Sequence, residues 1–403
     1  MKQPEKPEYA IWIYPWDMLD GGDKNVASKL SDWGFSVLSV ATSYHGARLL
    51  LPHNPNRKVF ILEDGRAYFH PSPSHYEKTV FKPLAASLAA GEDPLHRIIS
   101  SAQSRRLKVH GWTVFFHNTR LGELHPESTI ENVIGERYPY ALCPSNPQSR
   151  AYAVALAKDL ADHYELTALE LEAIGFMGYS HLSHHDKAGI RLDLLHDYLL
   201  SVCFCSYCRE RLRSFGVDPE LTKTKFRKEL ETYFESECDV VVEEPDDVQD
   251  RLAEILGPAA LACLVDARSQ VVCSLVDEIR RSVRKDVQLV MRAATSCFVT
   301  GGDAGVRWQD LSGIVDRILL VLFHHRLDLV ESELRRGLEN RERSGLPLYV
   351  GLRAHYPDIT SEPELQARLQ LLKEQSVKGV QFYNYGLLPS ANLGWIQKAV
   401  RGM

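Results

Sequence analysis

The side chains best suited to chemistry lie in residues 168–211, where a predicted strand ends in a glutamate. Side chains alternate along a strand, so Glu170 and Glu172 face one way and the leucines between them face the other. Glu172 lies nearer the carboxyl end of the strand. A carboxyl group buried there among aromatic rings would keep its proton to higher pH, as suits a general acid. The alternative is a structural carboxylate paired with an arginine such as Arg292.

A general acid that cleaves a glycosidic bond usually works with a second carboxylate, ~5 Å away for retention or ~6.5–9.5 Å away for inversion. Four aspartates follow predicted strands, namely Asp17, Asp64, Asp303 and Asp358. We favour Asp17, beside Trp16, because the first and fourth strand ends face each other across a barrel mouth. Asp303, in the Gly-Gly-Asp loop after the fifth strand, comes next. Either residue could instead cap the following helix.

A second chemically distinctive group is Cys203, Cys205 and Cys208, which supply three thiolates within six residues. Zinc is tetrahedral and accepts thiolate sulfur readily, so we expect a fourth ligand from elsewhere and choose Cys143. Four sulfur ligands leave no open position, so this zinc would be structural. It would tie the loop after the fourth strand to the long loop before it. The alternative is that these are ordinary buried cysteines at the start of a helix.

The histidine-rich loop between the glutamate and the cysteines offers a different chemistry. His181, His184 and His185, with Asp186, could hold a catalytic metal with a position open for water. Adjacent histidines point apart in most backbones, and no His-x-x-x-His helix anchors them here. We therefore expect these residues to line a substrate pocket, with His181 as a binding residue, and keep a metal-dependent hydrolase as the alternative.

Eight short β-rich runs alternate with helical segments along the chain and would position these side chains. They are residues 9–14, 36–41, 107–116, 166–173, 287–293, part of 314–323, 346–352 and 379–383. This rhythm predicts an α/β fold of the (β/α)₈ TIM-barrel type, whose active sites lie at the carboxyl ends of the strands. A doubly wound open sheet is the alternative. It is disfavoured because no glycine-rich phosphate loop follows the first strand.

The whole chain, residues 1–403, reads as one barrel domain with two insertions. Residues 57–68 predict a hairpin that turns at Asp64 and Gly65, within an insertion of about residues 55–75. A helical insertion of about residues 192–262 carries the cysteine cluster.

Polar and aromatic residues follow almost every predicted strand. Together they predict a pocket for a polar small molecule such as a sugar, with flat rings for C–H bonds and polar groups for hydroxyls. The expected binding residues are Trp16, His45, Trp112, His117, Asn118, His181, Arg292, His355, Tyr383 and Asn384. Tyr44 offers a further ring.

Residues 140–147 (YALCPSNP), a helix, a strand ending in glutamate and residues 203–209 (CFCSYCR) together resemble the glycoside hydrolase family 42 β-galactosidases. The resemblance covers about residues 140–215. It implies a (β/α)₈ catalytic domain, a zinc site of four cysteines and an acid/base glutamate at Glu172. Leu171 stands where the family has asparagine, and residues 351–355 (GLRAH) lack the carboxylate that the family has after its seventh strand.

The overall charge and composition of the chain argue against two classes of binding partner, nucleic acids and membranes. The net charge is −6 and no basic run occurs, which argues against nucleic-acid binding. We expect no membrane-spanning segment, and the N-terminus lacks the apolar stretch of a signal peptide, which predicts a cytoplasmic location. A homo-oligomer is compatible with the sequence.

Taken together, these patterns lead us to expect a glycosidase with Glu172 as general acid and one structural zinc. A sugar-binding barrel without catalysis is the further alternative, since the seventh strand lacks an acid.

Overall fold

Eight parallel strands form a closed barrel in the computed structural model, which describes residues 7–180, 187, 189–235, 242, 244–375 and 377–402. The strands are β1 (Glu8–Ile13), β2 (Val37–Tyr44), β3 (Lys108–Val114), β4 (Ala168–Glu172), β5 (Gln288–Arg292), β6 (Arg317–Val321), β7 (Leu348–Arg353) and β8 (Gly379–Tyr383). Neighbours in sequence are neighbours in the sheet, and β1 closes the barrel by pairing with both β8 and β2. The eight predicted strands and the TIM-barrel fold are confirmed.

Helices connect the strands along the chain. They are α1 (Pro15–Gly21), α2 (Asp23–Trp33), α3 (Pro94–Gln103), α4 (Thr119–Leu124), α5 (Pro147–His163), α6 (Leu194–Ser201), α7 (Ser206–Ser214), α8 (Pro219–Glu235), α9 (Pro245–Leu256), α10 (Pro258–Ser282), α11 (Leu327–Ser344), α12 (Glu362–Glu374) and α13 (Ser390–Gly402). Several begin with proline, whose fixed φ and missing N–H suit a first helical position. The side chains of Asp93 and Asn146 cap α3 and α5 by accepting backbone N–H groups.

The segment after β2 differs from the predicted hairpin at residues 57–68. Val59–Ile61 pairs antiparallel with the upstream strand Arg48–Leu50, whereas Arg66–Ala67 pairs antiparallel with β2. The chain does turn at Asp64 and Gly65, and the Asp64 carboxylate accepts hydrogen bonds from Gly46 N (2.8 Å) and Arg120 N (3.1 Å). The predicted hairpin is wrong because the strands on the two sides of this turn pair with other strands.

A second cluster of buried apolar side chains lies among α6 to α10, apart from the barrel core. Leu199, Phe204, Phe226 and Leu264 are among its fully buried members. Among the described helices, α10 is long and apolar enough by length and composition to cross a membrane, but 61% of its most apolar window is buried inside the protein. The organisation of the chain as a single domain with two insertions stays a prediction.

Candidate active site

Glu172 ends β4 and is held by two nitrogen donors. Arg292, the last residue of β5, places Nη1 2.5 Å from Glu172 Oε1. Trp112 Nε1, from β3, donates to Glu172 Oε2. The side chain of Glu172 is 15% exposed, so it is reachable from the barrel mouth. The ion pair with Arg292, which the sequence offered as the alternative role of Glu172, is present in the fold.

Asp303 joins the same guanidinium from the loop after β5. Arg292 Nη2 lies 2.8 Å from Asp303 Oδ2. The loop comes very close to the end of β4, since a Cβ on Gly302 would lie 2.6 Å from the Cα of Ala173. Burial raises the pKa of Asp303, as does the nearby charge of Glu172, while Arg292 opposes them. Arg292 thus joins two carboxylates, and we call Glu172, Arg292 and Asp303 the carboxylate cluster.

Glu170, two residues before Glu172 on β4, faces the barrel interior and is fully buried. It accepts hydrogen bonds from Trp12 Nε1 (2.9 Å) and Gln381 Nε2 (3.0 Å). Burial alone would raise the pKa of Glu170, but His110, Ser39 and Gln381 together lower it. Both glutamates of β4 thus point inward, as the strand alternation predicted. Glu170 links Trp12 of β1 to Gln381 of β8 inside the barrel.

Aromatic rings form a floor beside the carboxylate cluster. The hydroxyl of Tyr14 lies 3.1 Å from that of Tyr44 and 3.3 Å from that of Tyr383. The Trp112 ring packs edge-on to Tyr44 at 5.0 Å. Trp112 is only 1% exposed, so it supports Glu172 through its N–H and offers no open face. Tyr383 is partly exposed and remains the candidate for contact with a sugar ring.

Asp17 and Trp16 make their contacts around the start of α1. Asp17 is in the first turn of α1, where its Oδ2 accepts a hydrogen bond from Tyr14 N at 3.1 Å. Trp16 is buried, with its ring stacked on Tyr14 at 4.5 Å. Asp17 therefore stabilises the start of α1, which was the alternative role given to it from the sequence.

Asp17→Asn should remove a pH dependence of stability. Burial raises the pKa of Asp17 to about 8, whereas an aspartate in an unfolded chain titrates near ~3.9. Between these values the folded state binds more protons than the unfolded state, so the unfolding free energy of the wild type falls as the pH rises. The variant should gain roughly 2–5 kcal/mol on the wild type between pH 4 and pH 8. Urea unfolding across this range measures the difference, and parallel curves would contradict it.

The predicted binding residues after β2 and β3 include two histidines whose rings stack in a row with Tyr44 of the aromatic floor. His45 stacks on Tyr44 at 4.2 Å and on His117 at 4.0 Å. Asn118 is buried and caps α4, with Oδ1 accepting from Leu121 N at 2.9 Å. His45 and His117 therefore keep positions suited to binding, whereas Asn118 is occupied with helix capping.

The ends of β7 and β8 supply a further set of predicted residues. His355 Nδ1 lies 2.6 Å from Tyr356 O, and its Nε2 makes no hydrogen bond to the described residues. Burial lowers the pKa of His355. Asn384 Oδ1 accepts from Gly386 N at 3.0 Å. Asp358, another candidate acid, is buried in a bidentate ion pair with Arg353 at 2.7 and 2.8 Å. The sequence reasoning missed this pair, whose signal was an arginine five residues before an aspartate.

His181, His184, His185 and Asp186 lie outside the described residues. The predicted metal-dependent alternative, which depends on them, stays a prediction.

The four cysteines predicted as ligands converge. Cys143 Sγ lies 3.5 Å from Cys208, 3.8 Å from Cys203 and 3.7 Å from Cys205. All four are buried, and their sulfur atoms lie within 4.8 Å of one another. Sulfur ligands ~2.3 Å from a tetrahedral zinc would be about 3.8 Å apart, so the cluster has the dimensions of a four-thiolate metal site. Cys143 precedes α5 and the other three precede or begin α7, so a metal here would join the two segments.

The comparison with known proteins bears on the fold. No protein-family profile matches the chain, and no curated protein matches it in sequence. The glycoside hydrolase domain of PgaB (BpsB) from Bordetella bronchiseptica superposes with a TM-score of 0.57, 11% identity and 98% coverage of both chains. An α-L-fucosidase isoenzyme 2 from Paenibacillus thiaminolyticus gives 0.59 and 12% identity, over 98% of this chain and 49% of that one.

A β-galactosidase from the psychrophilic Marinomonas ef1 gives a TM-score of 0.58 and 10% identity, over 98% of this chain and 59% of that one. The chain thus spans about half to three fifths of the length of the latter two proteins. Similarity at this level of identity establishes the fold and does not single out family 42. The chain folds as a (β/α)₈ barrel of the kind found in glycoside hydrolases.

Proposed function

We propose that the protein is a glycoside hydrolase that acts on a small glycoside or oligosaccharide at the carboxylate cluster. The observation that carries this proposal is the pair of partly exposed carboxylates, Glu172 and Asp303, joined by Arg292 at the carboxyl ends of β4 and β5. Paired carboxylates in a barrel mouth are what glycoside hydrolysis needs. The barrel similarity to glycoside hydrolases supports the same class.

The contacts of the two carboxylates favour a division of roles that differs from the sequence expectation. Both oxygens of Glu172 accept N–H donors, an arrangement that suits a carboxylate anion. Burial and the charge of Glu172 raise the pKa of Asp303, which suits the proton donor. We therefore propose that Asp303 is the general acid and that Glu172, expected from the sequence to be the acid, acts as the anionic partner.

In this mechanism Asp303 gives its proton to the glycosidic oxygen as the bond to the anomeric carbon breaks. Glu172 either attacks that carbon directly or accepts a proton from the attacking water. Arg292 contacts both side chains and would stabilise Asp303 once it has become an anion. Activity should fall as the pH rises through the raised pKa of Asp303, because the acid must enter the reaction protonated.

A neutral sugar fits the electrostatics of the site best. In the reactive state Glu172 is anionic, Arg292 is cationic and Asp303 is protonated, so the cluster has no net charge and offers no net attraction to a charged sugar. The partly exposed Tyr383 would contact a ring face of the sugar, and the neighbouring His45 and His117 would contact its hydroxyl groups. A β-galactoside is the first substrate to test, because the resemblance of residues 140–215 points to that specificity.

A sugar-binding barrel without catalysis is the second candidate. The observation behind it is the end of β7, where the residues are an Arg353–Asp358 ion pair and no free carboxylate. In this case Arg292, Glu172 and Asp303 would form a structural ion network, and the protein would bind sugars without turning them over.

A panel of nitrophenyl glycosides, followed by calorimetric titration with the corresponding free sugars, separates the two candidates. We expect turnover of at least one neutral glycoside, with saturation by that substrate. Binding of a sugar with no release of nitrophenol from any glycoside would support the non-catalytic barrel. Turnover that disappears on chelation, and returns with metal while the protein stays folded, would support the metal-dependent alternative.

For the cysteine cluster we propose zinc as the ion. Four thiolates at tetrahedral spacing match zinc, and they leave no position for substrate, so its role would be structural. Burial raises the pKa of Cys143, while hydrogen bonds from the neighbouring thiols lower the pKa of Cys205. A reducing compartment keeps such thiols available, and the cytoplasmic location stays a prediction.

A further inference from the structure

Away from the barrel mouth, two histidines and an aspartate converge where the short 3-10 helix Pro73–Tyr76 packs on the last turn of α5. A ring nitrogen of His75, a ring nitrogen of His163 and a carboxylate oxygen of Asp159 lie within 4.8 Å of one another. Ligand atoms ~2.0–2.2 Å from a common zinc ion would be about 3–4 Å apart. Small movements of the side chains would therefore bring the three groups onto one ion.

His75 presents a lone pair to this point. Its Nε2 lies 3.1 Å from Asp162 Oδ2, and its buried Nδ1 makes no hydrogen bond within the described part of the chain. A proton on Nε2 satisfies the contact with Asp162 and leaves Nδ1 as an unprotonated acceptor. Metal-binding histidines generally have this arrangement, in which a carboxylate on the far nitrogen fixes the ring and its tautomer.

Asp159 is fully buried and presents one oxygen to the same point. Its Oδ2 accepts hydrogen bonds from Ser72 N at 3.0 Å and from the Tyr76 hydroxyl at 2.9 Å. Its Oδ1 faces the histidines, with His163 Nδ1 at 2.8 Å and His75 Nδ1 at 4.0 Å. A buried carboxylate with one oxygen fixed by two donors is held in place as a ligand before any ion arrives.

We propose that His75, Asp159 and His163 form a second metal site, distinct from the cysteine cluster, for a divalent transition-metal ion such as zinc. Two imidazoles and one carboxylate are a ligand set that zinc, nickel and copper accept. The side chain of His163 is 44% exposed, so water can complete the coordination.

The position of this site assigns it a structural role. His163 ends α5, and a short connection leads from it to Ala168 at the amino end of β4. Glu172 is at the opposite end of that strand, so the ion would not reach the carboxylate cluster. It would fasten the segment after β2 to α5, whose other end follows the cysteine ligand Cys143.

The zinc content of the full chain, saturated with Zn²⁺ and freed of unbound ion by gel filtration, tests the proposal. We expect two zinc ions per chain in the wild type and one in His163→Gln, because that variant keeps only the cysteine cluster. His163 is exposed enough for the variant to fold, which circular dichroism checks. Asp162→Asn should weaken binding at the second site by about 10–100-fold, since it removes the partner of His75. His325→Gln, at an exposed histidine elsewhere, is the matched control.

Cobalt(II) distinguishes the two sites, because thiolate ligands give a sulfur-to-metal charge-transfer absorption that imidazole and carboxylate ligands lack. His163→Gln should lose one bound ion and keep the thiolate absorption, whereas Cys143→Ser should weaken the absorption and keep the ion at the histidines. An equal zinc content and affinity in the wild type and His163→Gln would overturn the proposal. So would a saturated wild type that holds no ion beyond the one at the cysteines.

Discussion

Glu172→Gln should lower kcat/KM for a nitrophenyl glycoside by at least ~10³-fold, because Glu172 is the proposed anionic partner of the reaction. Glutamine keeps the size of the side chain and an oxygen for Trp112 or Arg292, and it removes the negative charge that would stabilise or attack the anomeric centre. Arg292 keeps its contact with Asp303. The fold should therefore survive, and circular dichroism and the urea midpoint verify this.

Glu8→Gln is the matched control for Glu172→Gln. Glu8 lies in β1 and pairs with Arg317 at 2.8 Å, so the substitution disrupts another barrel Glu–Arg ion pair without touching the carboxylate cluster. We expect it to keep wild-type activity. Wild-type turnover in Glu172→Gln would exclude the cluster as the reaction centre.

The two roles separate when the leaving group is varied. A dinitrophenolate leaves without protonation, whereas a simple alcohol needs the acid. If Asp303 is the acid, Asp303→Asn should keep most of its activity on a dinitrophenyl glycoside and lose at least ~10²-fold on an alkyl glycoside. Glu172→Gln should be impaired on both. The reverse pattern would return the acid role to Glu172.

Cys143→Ser should give the largest loss of stability among the substitutions considered. Structural zinc binds with ~10–16 kcal/mol in zinc-finger peptides, and removing one ligand weakens or empties the site. In this protein the fold keeps its barrel core, so we expect a loss on the order of 5 kcal/mol, concentrated in the segments that the cluster joins. Thermal unfolding measures the total, and hydrogen exchange should show the loss around residues 143–147 and 203–214.

Cys263→Ser provides the control, because Cys263 is a half-buried cysteine outside the cluster. A change within about 0.5 kcal/mol is expected there. Equal zinc content and equal stability in Cys143→Ser and the wild type would show that the four cysteines are merely packed together. Chelation of the wild type should reproduce the instability of the variant.

Local patterns in the sequence were enough to predict the barrel fold. Each strand is a short β-rich run between helical segments, and strand alternation alone placed Glu170 and Glu172 on the inner face. The clustering of Cys203, Cys205 and Cys208 led us to expect one more cysteine beside them, and Cys143 lies there in the fold. These predictions succeeded because they depend on spacing within one element or on a compact motif.

The grouping of distant side chains was decided by the tertiary structure. The sequence favoured Asp17 over Asp303 as the second acid, but in the fold Asp17 binds the backbone of its own helix, whereas Asp303 contacts Arg292. Local turn chemistry likewise suggested a hairpin at Asp64, but the strands on the two sides of this turn pair with other strands.

The proposed second metal site could not be predicted from local sequence patterns, since His75 lies far along the chain from Asp159 and His163. The sequence determines which chemical groups stand at the ends of strands and helices. Only packing determines which of them share one guanidinium or one ion, because those contacts depend on loop paths and on burial that no local pattern encodes.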